Sequence, residues 1–527
     1  MIQMMNKKMM AATFIGALAM LTGCSPKDNP VNPVVEPVAK SIVILYENDV
    51  HCGIDGYTKL AGLRDAINRS DTAYVAVVSS GDYLQGAMTG AYSRGQYIVD
   101  IMRNMNYAAI TIGNHEFDYG GPRMKELLEQ VNAPVVCANF FDYGAEKPVY
   151  APYVIQTLGD KRVAFVGVCT PETMSAESYS FFDEENHQLY DLRNDQVPAL
   201  VQEAVDNARQ EGADYVVLLS HLGEKEVADA ISSYELVAQT RGIDVVLDGH
   251  THSVIECHDV DNLDGHPIHV TQTGTQFANV GKLVITTDGH VSTTLIPASD
   301  IPYENASITA TVYSVETEMA AVVSRQIATT GYALEINGPN GRLVRCGETN
   351  LGDLVTDAFR ETMGSDIGLV NGGGVRNSIP AGIITYGDVI DVLPNDNRIC
   401  RIEVTGSVLL EMLRKCTAKC PEEDGSFPQV SGLRYTIHTA SHTVSDVEVM
   451  DADGVYQALD ETRNYTMALS DYYQSGGYYD ILKPCRLIER RDVMVRDVLA
   501  DYLEFTLGGT TGDTYAQSQQ RITIVDD

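Results

Sequence analysis

From residue 41 to about 298 the chain alternates short β-branched runs (42–45, 74–78, 109–112, 163–168, 215–219 and 244–247) with helical patterns such as 122–131 and 197–210. That alternation restricts this half of the chain to an α/β fold. Five apolar runs end in residues able to hold a metal. The first is followed by Asp49 and His51, the second by Asp82 and the third by Asn114, His115 and Asp118. His221 follows the fourth, and His250 and His252 follow the fifth. Ligands gather at the carboxyl ends of the strands of an open α/β sheet, so groups far apart in sequence can meet at one edge.

The residue types suit a metal site. Asp49 and His51 stand two apart after a strand, a spacing that lets both side chains point to one side and grip one ion. Asp82 can bridge two cations by giving one oxygen to each. Asn114 offers a neutral carbonyl oxygen, His221 and His250 offer imidazole nitrogens, and His252 repeats the two-residue spacing. Taken singly, a strand-end Asp is a turn residue and a His is an ordinary core or surface residue. Together, with the spacing occurring twice and each group following a strand, they make a site. Mixed imidazole and carboxylate ligands suit Zn, Mn, Fe or Co better than Mg or Ca. Two such ions about 3.5–4 Å apart clamp a phosphoryl group and lower the pKa of a bound water toward neutrality.

The ends of the chain and its charge set limits. Lys7 and Lys8, an apolar stretch over 9–21 and Leu21-Thr22-Gly23-Cys24 resemble a bacterial lipoprotein signal, in which Cys24 becomes the lipidated first residue. Residues 25–40, with Pro26, Pro30, Pro33 and Pro37, read as an extended tether. A formal charge of −35 excludes nucleic acid polymers as partners, since no excess of Lys and Arg exists to displace counterions. Cys416 and Cys420 can pair or remain two buried thiols. Residues 305–326, with Ile308, Val312, Val315 and Met319 at helical spacing, read as a connecting helix. The expected divisions are a signal over 1–24, a tether over 25–40, a first domain over 41–304, a linker over 305–341 and a second domain over 342–527.

The blocks Asn-Asp-x-His, Gly-Asp, Gly-Asn-His-Glu-x-Asp, His-x-Gly and Gly-His-x-His stand in this order at residues 48–51, 81–82, 113–118, 221–223 and 249–252. In this the chain resembles the 5′-nucleotidase family and its calcineurin-like metallophosphatase domain. The resemblance implies a four-layer α/β sandwich joined by a helix to a smaller α+β substrate-binding domain. It also implies two divalent metal ions, Zn, Mn or Co. Asp49, His51, Asp82 and His252 would ligate one, and Asp82, Asn114, His221 and His250 the other. His115 would be catalytic, contacting the phosphate, with Asp118 orienting its ring.

The second domain resembles the family's C-terminal domain through Arg345-Cys346-Gly347-Glu348 and the glycine loop Asn371-Gly372-Gly373-Gly374-Val375-Arg376. Glycines let a backbone approach a ligand closely, and a guanidinium holds a phosphate through two parallel bonds. By resemblance Arg345, Asn371, Gly373 and Arg376 bind substrate, with Tyr472 as an aromatic wall. Two positions depart from the pattern. Asn395 stands where the family has a base-stacking Phe, and Tyr478 stands where it has an acid.

The expected protein is therefore a metal-dependent phosphoric ester hydrolase acting on nucleoside 5′-monophosphates or related small phosphoesters. Hydrolysis of UDP-sugars or 2′,3′-cyclic nucleotides is the alternative, and a silent surface binding protein a third. It is expected to be a monomer in the cell envelope, held to the outer membrane only by its lipid anchor.

Overall fold

The structure, a computed structural model, describes residues 40–527 except 178–179, 184–186, 226–229, 340, 396 and 476–478. The signal, Cys24, the tether to residue 39 and Tyr478 lie outside the described residues.

The first body is built on two sheets. One has the order Val291–Pro297, Asn279–Ile285, Ser41–Glu47, Ala73–Ser79, Ala109–Ile110. Ser41–Glu47 runs parallel to Ala73–Ser79 and antiparallel to Asn279–Ile285. The other has the order Val254–Asp261, Pro267–Thr273, Val245–Leu247, Tyr215–His221, Lys161–Cys169, Tyr153–Leu158. Side chains alternate across each strand, so every strand serves two cores. Ile42, Ile44 and Tyr46 face Phe165, Val217 and Leu247 in a core shared by both sheets. Val43, Leu45 and Val77 face outward, under the helices Asp55–Ser70, Gln96–Met102 and Gly121–Gln130. On the far side Ala164, Val166, Val216 and Leu218 pack against Val197–Gln210 and Ser233–Gln239. Helix, sheet, sheet and helix make four layers.

Two details differ from the sequence reading. The run 109–112 is a strand only over Ala109–Ile110, because Thr111 turns its hydroxyl to the Val136 carbonyl and the chain leaves the sheet. Two antiparallel strand pairs after residue 253 complete the two sheets, with Pro267–Thr273 running parallel to Val245–Leu247. Val254–Asp261 carries mostly exposed polar side chains and so shows no apolar run.

The second body holds a mixed five-stranded sheet, in the order Pro428–Ser431, Ile367–Asn371, Asn464–Ser470, Arg398–Thr405, Arg486–Met494. Asn350–Met363 and Val495–Asp501 pack on one face of it, and Gly406–Thr417 on the other. Between the bodies runs the helix Ala306–Val323, capped by Asn305, whose Oδ1 accepts from the amides of Ser307 and Ile308. Ile308 and Val312 enter the first body's core and Val322 packs on the second's. Together they form one unit, Lys40–Asp527. Cys416 and Cys420 are two buried thiols.

Candidate metal centre

The ends of Ser41–Glu47, Ala73–Ser79, Ala109–Ile110, Tyr215–His221 and Val245–Leu247 meet at one edge of the first body. Ligand atoms of Asp49, His51 and His252 lie within 4.8 Å of one another, and so do those of Asp49, Asp82 and His221. The two-residue spacing acts differently from a strand. Asp49, His51, Asp82, His250 and His252 all have left-handed backbone, with φ of 50°, 41°, 59°, 79° and 56°. Each is a loop residue in a conformation that non-glycine residues adopt at a penalty. His250 and His252 consequently turn to different partners. His252 Nε2 lies 2.9 Å from His51 Nε2, whereas His250 Nδ1 lies 3.0 Å from Asn114 Oδ1.

The imidazoles are pre-set by backbone and carboxylate partners. His51 Nδ1 donates to the Gln85 carbonyl at 3.2 Å and His221 Nδ1 to the Ser80 carbonyl at 2.6 Å. His51 therefore keeps Nε2 as a lone pair, the state a metal ligand needs. Burial disfavours charge on His221, but Asp82 and Asp49 prevail and raise it to about 10, so a cation would take the place of its Nε2 proton. His221 Nε2 is buried 3.0 Å from Asp82 Oδ2 yet makes no well-formed hydrogen bond among the described residues. His250 Nε2 donates to Glu172 Oε2 at 3.0 Å, which leaves Nδ1 as an acceptor facing the Asn114 carbonyl oxygen. Acceptors facing acceptors and an orphaned ring nitrogen are what a cation would satisfy. The residues fit divalent metals.

Charge follows the same logic. Burial pushes the Asp49 carboxyl up; His221 opposes that shift and Asp82 adds to it. For Asp82 burial acts upward too, but His221 and His115 outweigh it and hold this carboxyl well below the usual range. His115 Nδ1 donates to Asp118 at 3.1 Å, and its amide donates to Asp82 Oδ1 at 2.9 Å. Burial disfavours its charge, but Asp82 and Asp118 prevail and raise it to about 10. A charged imidazole thus sits beside the ligand cluster, its ring 5.1 Å from that of His51.

Two acids matter here whose roles the sequence reading missed. Glu116, inside the third block, is fully buried. Its carboxylate accepts from the amides of Asp82, Tyr83, Leu84 and Gly113 at 2.8, 2.8, 3.0 and 2.6 Å, tying two site loops together. Glu172 orients His250. It follows the strand Lys161–Cys169, and that apolar run ending at the same edge was the available signal. Space is equally specified at Gly113, where a Cβ would lie 2.2 Å from Asp82 Oδ1.

In the second body Asn371, Gly373 and Arg376 come together on the glycine loop. Asn371 Nδ2 and the Gly373 amide donate to the Gly425 carbonyl at 3.0 and 2.9 Å, and the Arg376 amide donates to Val392 at 2.8 Å. Arg345 joins them electrostatically. Burial first, then Arg345 and Arg376, lower the pKa of Arg342, whose guanidinium donates to the Val375 and Arg376 carbonyls. Three guanidiniums thus gather near one another with Glu423 beside them, and Arg342 is the member the sequence reading did not name. Tyr472 is partly exposed after Asn464–Ser470. Asn395 lines a cavity of about 350 Å³ with Gln85, Gly86, Tyr92, Tyr386 and Arg496. Gln85 is the residue that holds His51, so this cavity adjoins the metal-ligand loops.

Replacing Glu116 by Gln puts an amide donor against amide donors in a buried place. Glu116→Gln is expected to lower unfolding stability by about 2–5 kcal/mol and to reduce bound metal. Denaturant unfolding and metal analysis of the purified variant check this; unchanged values in both would remove Glu116 from its tying role.

The model of the calcineurin-like phosphoesterase family matches residues 42–254, and that of the 5′-nucleotidase C-terminal domain matches residues 326–483. A 5′-nucleotidase of Vibrio parahaemolyticus is 26% identical over 485 residues, covering 82% of this chain and 84% of that protein. A trifunctional nucleotide phosphoesterase protein of Bacillus subtilis is 25% identical over 483 residues, 83% of this chain. The chain spans only 32% of that relative's length. The crystal structure of a 5′-nucleotidase precursor from Thermus thermophilus superposes with a TM-score of 0.57 at 25% identity, covering 92% of this chain and all of that one. With a calcineurin-like phosphoesterase domain followed by a 5′-nucleotidase C-terminal domain, the chain belongs to the 5′-nucleotidase family of metal-dependent hydrolases.

Proposed function

We propose that the chain is a phosphohydrolase with two divalent cations, releasing phosphate from nucleoside 5′-monophosphates or related phosphoesters. The observation that carries this is the convergence of the Asp49, His51, Asp82, His221 and His252 ligand atoms beside the His115–Asp118 pair. In this proposal Asp49, His51, Asp82 and His252 hold one cation, and Asp82, Asn114, His221 and His250 the other. Zn, Mn or Co suits the mixed donor set. Bound there, two cations neutralise phosphoryl charge and supply a water nucleophile at neutral pH.

The chain's own groups do the rest. The Gln85 and Ser80 carbonyls keep His51 and His221 in the ligating tautomer, and Glu172 does so for His250. His115, held by Asp118, places a positive N–H where negative charge grows on the phosphoryl group. Arg345, Asn371, Gly373 and Arg376 receive the substrate with Tyr472 as an aromatic wall, and Arg342 braces the loop that carries Arg376.

The test is phosphate release over a panel of nucleoside monophosphates, a UDP-sugar and a 2′,3′-cyclic nucleotide, before and after chelation. Monophosphates should be turned over fastest. Chelation should abolish turnover, and Mn²⁺, Co²⁺ or Zn²⁺ should restore it. His115→Ala should keep its metal and lose about 10²–10⁴ in kcat. Turnover within a few-fold of the parent would remove His115 from the chemistry, and turnover of the diphosphate or cyclic ester alone would select the alternative substrate class.

Asn395 motivates a specificity prediction. Without a phenyl ring at this position the base has one stacking wall fewer, and such a stack is worth about 1–3 kcal/mol. Asn395→Phe should lower KM for a purine monophosphate accordingly and leave a small aryl phosphate unchanged. An equal effect on both substrates would place the base elsewhere.

We also propose that Cys24 is the lipid-bearing residue and that residues 25–40 tether the enzyme to the envelope. Among the described residues no helix is long and apolar enough to cross a membrane. Cys24→Ala should shift the protein from the membrane fraction to the soluble fraction; retention in the membrane would refute the anchor.

A further inference from the structure

The hairpin that follows His252 carries a second convergence of metal-binding side chains, which the phosphoester site does not use. Strand Val254–Asp261 pairs antiparallel with Pro267–Thr273, and Asp259 lies directly opposite His269. Cys257 and Asp259, two apart, share a face of their strand. The register shifts between Ile255 and His258, and Thr293 Oγ1 donates to the Glu256 carbonyl at 2.7 Å within that irregular stretch. The result brings Cys257 Sγ to 3.3 Å from His269 Nδ1 and 3.9 Å from Asp259 Oδ1. Asp259 Oδ1 is itself 2.5 Å from the same His269 nitrogen.

Two chemistries use a thiol, an imidazole and a carboxylate, and the geometry separates them. A nucleophilic relay needs the thiol on one ring nitrogen and the carboxylate on the other. Here both meet Nδ1, so no proton can pass across the ring. The thiol is also not activated: burial raises its pKa, Asp259 and Glu256 raise it further, and only Thr293 opposes them. Three donors gathered around one point are instead a ligand set. With bonds of about 2.0–2.3 Å, the edges of a tetrahedral zinc site are about 3.3–3.6 Å long. The observed edges of 3.3, 3.9 and 2.5 Å reach that shape through side-chain adjustments smaller than a bond length.

We propose that Cys257, Asp259 and His269 form a surface site for a thiophilic divalent cation of the Zn²⁺ class, separate from the phosphoester centre. One thiolate, one imidazole and one carboxylate hold the ion, and its fourth position opens to solvent. Binding releases the thiol proton to water, so the complex tightens as pH rises. A cation here cross-links the two strands of the hairpin, one of which begins two residues after His252.

Cobalt reads this site without relying on activity. The ligand set of the phosphoester centre holds no thiol, so a near-ultraviolet thiolate-to-cobalt charge-transfer band reports cysteine ligation alone. Titration of the purified full chain with Co²⁺ should produce that band and Zn²⁺ should displace it. Cys257→Ser should abolish it, while Asp82→Asn, at the other centre, should retain it. A parallel measurement needs no substitution at the cysteine. Zn²⁺ should protect Cys257 of the parent from a thiol reagent, read by peptide mapping, and His269→Gln should lose that protection. Absence of the band in the parent, its persistence in Cys257→Ser, or a Cys257 thiol equally reactive with and without Zn²⁺ would each overturn the site.

Discussion

Two carboxylates, Asp49 and Asp82, are buried together with His221 at the edge of the first body, and the rest of the site is arranged around that juxtaposition. Like charges in a poorly solvated place repel, and one of them ordinarily takes up a proton. The protein meets this with donors and imidazoles. The His250 amide donates to both oxygens of Asp49, and Asn48 Nδ2 donates to one of them at 2.6 Å. Three histidines surround Asp82. Behind them a third buried acid, Glu116, is satisfied by four backbone amides and fixes the loops that carry Asp82 and His115. The negative charge gathered there is what divalent metal ions would neutralise.

That arrangement is reached through backbone that is locally unfavourable. Five ligand-type residues sit in the left-handed region, at a penalty on the order of 1 kcal/mol or more each, and they persist because stiff sheets hold the loop ends. Tyr46, Phe165, Val217 and Leu247 fill the space between the sheets, so the strand ends cannot drift relative to one another. Strain at the loops and packing beneath them are two sides of one design. A ligand loop on a looser scaffold would relax toward ordinary backbone and separate the side chains.

The second body contributes through polar contacts at the seam. Arg398 Nη1 donates to the Asp118 carbonyl at 3.4 Å, and its Nε donates to Asp492, which also accepts from Arg94 at 2.7 Å. The backbone carrying the partner of His115 is thus touched by the body that holds the arginine cluster. The Arg94–Asp492 pair is solvent-exposed, and pairs of that sort contribute little to stability. The value of these contacts is orientation, since they fix the second body against the backbone that carries Asp118.

Much of this was legible in the chain itself. The alternation of apolar runs and helical patterns requires a layered α/β body, because strands apolar on both faces must be covered on both. The ordered blocks from Asp49 to His252 identify the edge where chemistry gathers, since residue types at strand ends are written directly in sequence. Other features belong to tertiary structure alone. The left-handed turns at Asp49 and His250, the amides gathered by Glu116, the hold of Glu172 on His250 and the meeting of Cys257 with His269 join residues whose separation in sequence carries no periodic signal. A strand announces itself by local alternation, whereas a buried acid or a convergent ligand set depends on which loops two packed sheets bring together. That is decided only when the cores close and fix the distances between their edges.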